Sequence, residues 1–404
     1  MNKSDLLPDG LKLFLEAFED DLSKPQFKNL KSWTAGILEG KSSVYEIKES
    51  FSEKHVSSLT RFMNQSPWNH KSLNHQRIKW ASNILTVRYH KYYPIIIDDT
   101  VNRKYGSLLT GVGRYFSNSQ KRIINGQSIV TSHLYTSGAD IPLFVDIYQK
   151  KEQIEDKTKF RSKIDMAKDH IDKAPRLKNR IGVVIVDTWY SSAGMIEKIL
   201  EKEYEGIIAI KSNRTVNFEG KKRSVSELAT TMDNDFESIT VEGKVYQVWT
   251  SNVRLPGITN EATGKPKKFR LLISQQKLRN GKWSDYRYLL VTDMTMGKWT
   301  VLYLYQKRWK IETFYRFAKN AFDFQGSQIR TETGALRYFI LLFFAYTYLT
   351  LSKYPHFAMN NDAKTQYQAK KVVERDTLEN LIDWIHAQVM EGVDADEIKL
   401  KLGL

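Results

Sequence analysis

Two aspartates and one glutamate are the residues of this chain whose types and positions best fit a chemical role. Asp99 and Asp187 each end an apolar, β-branched run, and Glu312 lies in a long segment with helical spacing. Because ligands bind outside the carboxyl ends of strands in α/β sheets, we expect the two aspartates to face a binding crevice. Three clustered carboxylates are what Mg²⁺ needs, since it prefers carboxylate and phosphate oxygens. The pattern predicts a magnesium site.

The choice between Asp98 and Asp99 stays open at this point. Neighbouring side chains of a strand point to opposite faces, so the two are not expected to face the same site. Acids at strand ends are also common turn formers, and this pair could simply cap a turn into Val101. The eight histidines are scattered and cysteine is absent, which argues against a zinc site and excludes thiolate chemistry.

The segment around Glu312 carries polar residues on one helical face. At about 100° per residue, four of them fall within an arc about 60° wide: Tyr305, Arg308, Glu312 and Lys319. One interpretation is a solvated ion pair between Arg308 and Glu312, which would stabilise the helix little. The alternative is a carboxylate that binds metal while Arg308 and Lys319 bind phosphates.

The elements that must position these residues form an α/β pattern. Strands are expected at Tyr93–Ile97, Gln127–Tyr135, Ile141–Tyr148 and Ile181–Val186, and helices at Lys157–Ile171 and Trp299–Asn320. This order predicts a mixed sheet covered by helices. Residues 211–286 are β-rich and look like an insertion between the last strand of this pattern and the long helix that follows. Residues 1–90 and the tail from Gln366 show the spacing of apolar residues that is typical of helices.

Within the N-terminal part, two short local patterns have competing interpretations. Ser43–Ser50 and Glu53–Asn64 could form a DNA-reading helix-turn-helix, although any small helical bundle offers such pairs. Ala35–Ser42 fits a relaxed phosphate-binding loop, which would make the chain a nucleotide hydrolase. That loop requires a preceding buried strand, and Asn29–Thr34 is polar and does not resemble one.

The charge of the chain indicates a polyanionic partner. The 62 Lys and Arg residues against 46 Asp and Glu give a net charge of +16, which fits nucleic acid or an acidic membrane surface. Val101–Ala139 contains no acid, and its Arg103 and Lys104 suit a DNA-facing sheet edge. The apolar run Tyr338–Leu351 is too short to span a bilayer and predicts a buried helix. Met1–Asp9 lacks an apolar signal core, so we expect a cytoplasmic protein.

The residues of the polar helix face resemble a known family. Tyr305, Arg308, Glu312 and Lys319 match the Y-x2-R-x3-E-x6-K signature of DDE transposases of prokaryotic insertion sequences. The IIIDDT and VVIVD strands resemble the segments that carry the first and second catalytic aspartates of that family. The resemblance covers roughly residues 92–351.

The resemblance implies a fold, a metal site and a reaction. It implies an RNase H-like core in which Asp99, Asp187 and Glu312 bind two Mg²⁺ ions, with Mn²⁺ able to substitute. Asp99 is preferred over Asp98 because the family's aspartate directly precedes the Thr or Ser position. The expected domains are a helical DNA-binding domain at 1–90, a catalytic core at 91–211 and 288–352, an insertion domain at 212–287, and a C-terminal helical region at 353–404.

The resemblance also implies DNA contacts and partners. Tyr305, Arg308 and Lys319 are expected to contact transposon-end phosphates, and Trp283, with Trp249 second, is the candidate for stacking on an extruded base. The partners would be inverted-repeat ends and target DNA, bound by a homodimer in the synaptic complex. The implied activity is metal-dependent strand cleavage and transfer of the cut-and-paste type. A DNA-binding protein without catalysis is the alternative.

Overall fold

The N-terminal part of the chain is helical, as its sequence predicts. The computed structural model describes residues 6–52, 54–84, 91–117, 120–136, 138–259, 264, 266–353 and 363–402. Its first five helices are α1 (Asp9–Glu16), α2 (Lys24–Leu38), α3 (Val44–Phe51), α4 (Val56–Asn64) and α5 (His70–Ile84). α3 and α4 form the expected helix pair. Residue 53, where the second helix was expected to begin, and the predicted domain boundary at residue 90 lie outside the described residues.

The phosphate-binding loop is wrong as an interpretation of Ala35–Ser42. Asn29–Thr34 lies inside α2, so no strand leads into the pattern. The Ser42 hydroxyl donates a hydrogen bond to Asp323 at 2.5 Å, which ties this loop to the protein. Without a strand to present a nest of amides, the local geometry offers no phosphate cradle.

A mixed sheet forms the centre of the molecule. Its first six strands and the helices between them are β1 (Tyr92–Arg103), β2 (Val112–Ser117), β3 (Arg122–Thr136), β4 (Ala139–Tyr148), α6 (Lys163–Lys173), β5 (Ile181–Val186), α7 (Ala193–Glu201) and β6 (Glu205–Ile210). β3 is antiparallel to β1 and β4, while β5 is parallel to both β1 and β6. The order β4-β3-β1-β5-β6 is that of an RNase H-like core, so the predicted fold class is confirmed.

The pairing of β1 leaves part of its edge open. β1 pairs with β5 only from Tyr92 to Ile96, whereas its pairing with β3 continues to Arg103. β5 itself ends at Val186. The end of β1 therefore projects past its parallel neighbour, and this gap in the sheet is where the acidic residues lie.

The β-rich segment continues the same sheet. Its elements are β7 (Thr215–Phe218), β8 (Lys221–Ser224), α8 (Val225–Thr231), β9 (Glu237–Val241), β10 (Lys244–Thr259), β11 (Pro266–Gln276) and β12 (Arg287–Val291). β12 pairs with β6 and β11 with β12, so the strands of the insertion extend the central sheet. The domain boundaries given above stay a prediction.

The prediction of one continuous helix at Trp299–Asn320 is wrong in one respect, because the segment forms two helices. These are α9 (Lys298–Gln306) and α10 (Trp309–Ala321), separated at Lys307 and Arg308. The amides of those two residues bond three residues back, to Leu304 and Tyr305, which tightens the turn. Lys307 also pairs with Glu242 at 2.7 Å. Tertiary contacts of the two cations thus coincide with the break.

The chain ends in three helices, of which the first fills the core. They are α11 (Glu332–Leu351), α12 (Gln366–Met390) and α13 (Ala395–Leu402). α11 has the length and composition to cross a membrane, but 94% of its apolar window is buried within the protein. It packs against the N-terminal helices, and Arg337 donates hydrogen bonds to the carbonyls of Phe62, Met63, Ser66 and Trp68. The predicted buried helix is confirmed, though it begins earlier than Tyr338.

Candidate active site

Four acids from three separate segments line one cleft. Asp98 and Asp99 come from the projecting end of β1, Asp187 directly follows β5, and Glu312 lies in the first turn of α10. The cleft has a volume of about 1080 Å³ and is also lined by several cations, among them Lys163, Arg308, Arg316 and Lys319. The sequence-predicted triad therefore converges on one cavity.

Asp98 and Asp99 both line this cleft, which corrects the expectation that only one of them would. They do point to opposite sides of β1, because Asp98 contacts Arg308 near α10 and Asp99 contacts Lys163 on α6. Since β1 has no β5 partner beyond Ile96, the cleft reaches around its open edge to both sides. Side chains that point to opposite faces of a strand are kept in separate sites only where neighbouring strands pair with both of its edges.

On the α10 side, Arg308 bridges two acids. Its guanidinium donates to Asp98 Oδ2 at 3.0 Å and to Glu312 Oε1 at 2.6 Å. Burial raises the pKa of Asp98 to about 7, against the opposing effect of Arg308 and with the repulsion of Asp187 and Asp99 added. The predicted i,i+4 ion pair between Arg308 and Glu312 exists, but it faces the cleft instead of open solvent.

On the α6 side, both oxygens of Asp99 have donors. Lys163 Nζ lies 2.6 Å from Oδ2, and the Tyr190 hydroxyl donates to Oδ1 at 3.1 Å. Lys163 is the first residue of α6, whose N-cap Ser162 accepts a hydrogen bond from the amide of Asp165. This capped turn positions the lysine against the carboxylate.

Asp187 lies between the two sides. Its carboxylate accepts a hydrogen bond from the Trp189 amide at 2.9 Å, as the N-cap of a short helical turn. Burial raises the pKa of Asp187, while the Trp189 amide and then Arg308 oppose the shift and Asp99 adds to it. In the described contacts, Asp187 is the only one of the four acids that has no bonded protein cation, because its carboxylate is held by backbone alone.

The donor set fits a divalent ion in its chemistry, although the side chains do not form a ready site. Among the described residues, no group of three Asp, Glu or His side chains lies close enough to hold a metal ion. Burial and mutual repulsion raise the pKa of Asp98 and of Asp187, and a bound cation would relieve both costs. Asp98, Asp99 and Glu312 are each paired with Arg308 or Lys163, so an ion that binds these acids competes with the two cations.

The four residues of the predicted helix face occupy two neighbouring cavities. Arg308, Glu312 and Lys319 line the acidic cleft. Tyr305, on α9, is 7% exposed and lines an adjoining cavity of about 650 Å³, whose wall also includes Asp187 and Arg308. Lys319 donates to Thr100 Oγ1 at 2.8 Å, and burial lowers its pKa to about 8. The face stays together in spite of the break between α9 and α10.

The structure contradicts two of the predicted DNA contacts, Lys104 and Trp249. Lys104 is 3% exposed, and its ammonium donates to the carbonyls of Gln325 and Ser327 at 2.7 and 2.5 Å, so it is a structural residue. Trp249 is 8% exposed and packs against Phe218 in the core, so it offers no face to a base. A buried lysine cannot be told from a surface lysine by residue type, which is why the sequence misled.

Two further predicted contacts, Arg103 and Trp283, remain accessible. Arg103 is exposed and lies over the ring of Tyr105, 4.9 Å from its centroid. Trp283 is half-buried in the hairpin between β11 and β12, where it bridges to Lys277. It lines neither cavity, so its stacking role stays a prediction.

Several residues of the cleft were missed from the sequence. Lys163 and Tyr190 contact Asp99, and Trp189 and Trp309 are exposed at 63% and 54% on the cleft wall. The sequence did contain a signal for the two tryptophans, because Trp309 directly follows Arg308 and Trp189 lies two residues after Asp187. Lys163 had none, because its contact joins residues far apart in the chain.

Comparisons with known proteins show what this chain is similar to. Residues 36–231 match the family model of the DDE superfamily endonucleases. The chain is 28% identical over 203 residues to the "Probable transposase for insertion sequence element IS701" of Microchaete diplosiphon, a match that covers 49% of this chain and 52% of that protein. The chain thus aligns with about half the length of that curated relative. The resemblance to DDE transposases of insertion sequences is confirmed.

A solved structure is also similar to the chain. It is the piggyBac transposase in its synaptic complex with hairpin DNA, at 11% identity and a TM-score of 0.49, and the match covers 99% of this chain and 82% of that one.

Proposed function

We propose that this chain, whose residues 36–231 match the DDE superfamily endonucleases, is a transposase that cuts DNA at the ends of an insertion sequence and joins those ends to target DNA. The observation that carries the proposal is the convergence of Asp99, Asp187 and Glu312 on one cleft that is also lined with cations. Acids held close together in spite of their repulsion are typical of a site that works with a cation. The cleft combines carboxylates for metal with basic side chains for phosphate.

The residues of the cleft divide into two roles in this proposal. Asp99, Asp187 and Glu312 would hold the divalent ions, two Mg²⁺ with Mn²⁺ as a substitute. When bound, such ions activate a water or a DNA 3′-hydroxyl and stabilise the leaving oxygen of an in-line displacement. Arg308 and Lys319 bind the phosphates on either side of the reacting bond, and Arg308 can do so through two parallel hydrogen bonds. Together with Tyr305 and Glu312, they support membership in the Tyr-Arg-Glu-Lys group.

The DNA path runs along the exposed basic side of β2 and β3. Arg114, Lys121 and Arg122 are exposed there, and Lys121 lines the acidic cleft itself. Contacts of this kind bind DNA by releasing counterions, so affinity depends on salt and little on sequence. The path leads a duplex from the outer strands into the cleft.

One variant pair tests whether Arg103, at the end of β1 beside β3, is a further contact of this path. Arg103→Ala is expected to reduce the slope of log affinity against log salt concentration by about 0.9, because one phosphate contact is lost. Lys104→Met is expected to leave the slope unchanged, because the ammonium is buried. Filter binding of a nonspecific duplex at several salt concentrations measures both. An unchanged slope for Arg103→Ala would remove this residue from the DNA path.

The partners are part of the proposal. They are inverted-repeat ends, target DNA and a second copy of the chain that brings two ends together, at the nucleoid of a prokaryote where that DNA lies. The relative's printed name supports an insertion sequence as the source of the ends. α12 supports the second copy, because Leu378, Ile382 and Val389 lie along it and are each more than half exposed.

The experiment that tests the function uses the full chain and a duplex that carries both ends of its element. With Mg²⁺ we expect breaks at the ends that leave 3′-hydroxyls, followed by joined products when a target plasmid is added. EDTA should abolish both. Binding without breaks in either Mg²⁺ or Mn²⁺ would make the chain a DNA-binding protein without catalysis, and breaks without joining would make it a nuclease.

A further inference from the structure

Lys163 occupies a position that its own helix does not favour. It is the first residue of α6, where the backbone amides give the helix end a partial positive charge. A lysine there is mildly unfavourable for the helix. Its ammonium instead points to Asp99, at 2.6 Å from Oδ2, and the two side chains are only 17% and 20% exposed.

The surroundings of Lys163 hold it in this place. The ammonium lies 5.6 Å from the ring centroid of Tyr148 on β4, a distance at which a cation is attracted by the ring. Tyr190 occupies the other oxygen of Asp99 at 3.1 Å. Each oxygen of the Asp99 carboxylate thus already accepts from a protein group, and the charge of Lys163 opposes an ion that approaches from the cleft.

The contrast with Asp187 shows what this arrangement does. Both acids line the cleft, but the described bonds of the Asp187 carboxylate come from backbone, whereas Asp99 carries the charge of a lysine. Arg308 neutralises Asp98 and Glu312 from the opposite wall. Two protein cations thus pair with three of the four acids, one cation on each side of β1.

We propose that Lys163 is an internal counter-ion that competes with divalent metal for Asp99, so that the chain without DNA binds metal more weakly than its carboxylates alone would allow. The inference rests on the proposed function, because it takes Asp99 as a metal ligand. When a metal ion binds, the ammonium leaves Oδ2 and is freed to face a DNA phosphate in the same cleft. Metal and DNA phosphate then favour the same, opened state of the Asp99–Lys163 pair, which couples the two binding events.

The test measures metal binding and not activity. Mn²⁺ is titrated into the full chain without DNA and followed by calorimetry. Lys163→Met is expected to bind Mn²⁺ about tenfold more tightly than the native chain, the order expected when one charge-assisted hydrogen bond no longer competes. Lys163→Arg, which keeps the charge, should bind like the native chain.

Two controls assign the gain to the pair. Lys168→Met removes a partly exposed lysine of the same helix that does not line the cleft, and it should leave Mn²⁺ affinity unchanged. In an Asp99→Asn background, Lys163→Met should give no gain, because the competing contact is already absent. Lys163→Gln serves as a second neutral variant if Lys163→Met does not fold.

The outcomes separate this inference from the proposed function. Equal or weaker Mn²⁺ affinity in Lys163→Met and Lys163→Gln, in a native chain that still binds Mn²⁺, overturns the counter-ion and leaves the transposase proposal standing. A gain that persists in the Asp99→Asn background also overturns it. If neither the native chain nor any variant binds Mn²⁺, both proposals fail.

Discussion

Asp187→Asn is expected to lower metal-dependent strand cleavage at least about 10³-fold, because the several kcal/mol that a bound metal contributes to the transition state depends on this carboxylate. Asparagine keeps the shape of the side chain and its hydrogen bond from the Trp189 amide, so the fold is retained. DNA binding should change little, since the phosphate-binding cations are untouched. Cleavage rates on an end-bearing duplex, measured beside a gel-shift titration, test both expectations.

The remaining acids extend this test. Glu312→Gln and Asp99→Asn are expected to behave in the same way. Asp98→Asn should lower cleavage less, because Asp98 is not among the three acids proposed to hold the metal ions. If Asp98→Asn lowers cleavage more than Asp99→Asn does, the metal-ligand role belongs to Asp98 instead of Asp99.

A control variant and a decisive outcome complete the design. Asp383→Asn, at an exposed position of α12 outside the cleft, should cleave like the native chain. If Asp187→Asn, Asp99→Asn and Glu312→Gln all still cut DNA, the active-site assignment is wrong. If these variants lose DNA binding together with cleavage, the acids have a structural or DNA-binding role instead.

Arg77→Ala is expected to lower the free energy of unfolding by roughly 3–5 kcal/mol, because it leaves several buried acceptors without a donor. Arg77 is 0% exposed, and its guanidinium donates to Thr347 Oγ1, Asn74 Oδ1 and the Pro142 carbonyl at 2.6, 2.7 and 2.7 Å. It thereby joins α5 to α11 and β4. Burial lowers its pKa to about 9, which shows how far it is removed from water.

Urea unfolding followed by circular dichroism measures this loss. The midpoint should fall while the slope of the transition stays the same, as expected when stability changes but the surface exposed on unfolding does not. Lys79→Ala, an exposed position two residues along the same helix, should leave the midpoint nearly unchanged. An unchanged midpoint for Arg77→Ala would mean that the N-terminal helices do not unfold together with the sheet.

The strands that carry the acids were predictable because their signal is local. Tyr93–Ile97 and Ile181–Val186 are apolar on both faces, and each apolar run stops at an acid, so the strand and its candidate residue are readable from a few neighbours. The predicted end of the first strand was wrong, because β1 continues to Arg103. The mixed sheet follows from the order of such segments. The N-terminal and C-terminal helices were predictable from spacing in the same way.

The contacts within the cleft could not be predicted in this way. The break between α9 and α10 coincides with pairs that Lys307 and Arg308 make with Glu242 and Asp98, which lie far away in the sequence. Lys104 and Arg103 are adjacent and alike in charge, yet only Lys104 is enclosed, by carbonyls of the segment after α10. Local pattern does not encode which of two neighbours meets such partners.

By itself, the sequence predicted the fold class and the segments that carry Asp99, Asp187 and Glu312, since hydrophobic periodicity and residue spacing are properties of short stretches of chain. The preference for Asp99 over Asp98 came from the family resemblance. Only the tertiary structure decided that Asp98 shares their cleft and that Arg308 and Lys163 neutralise the acids from opposite walls. The physical reason is that charge pairing depends on distances of a few ångströms between residues remote in the chain. Those distances are set by strand register, and here by the early end of β5 beside β1.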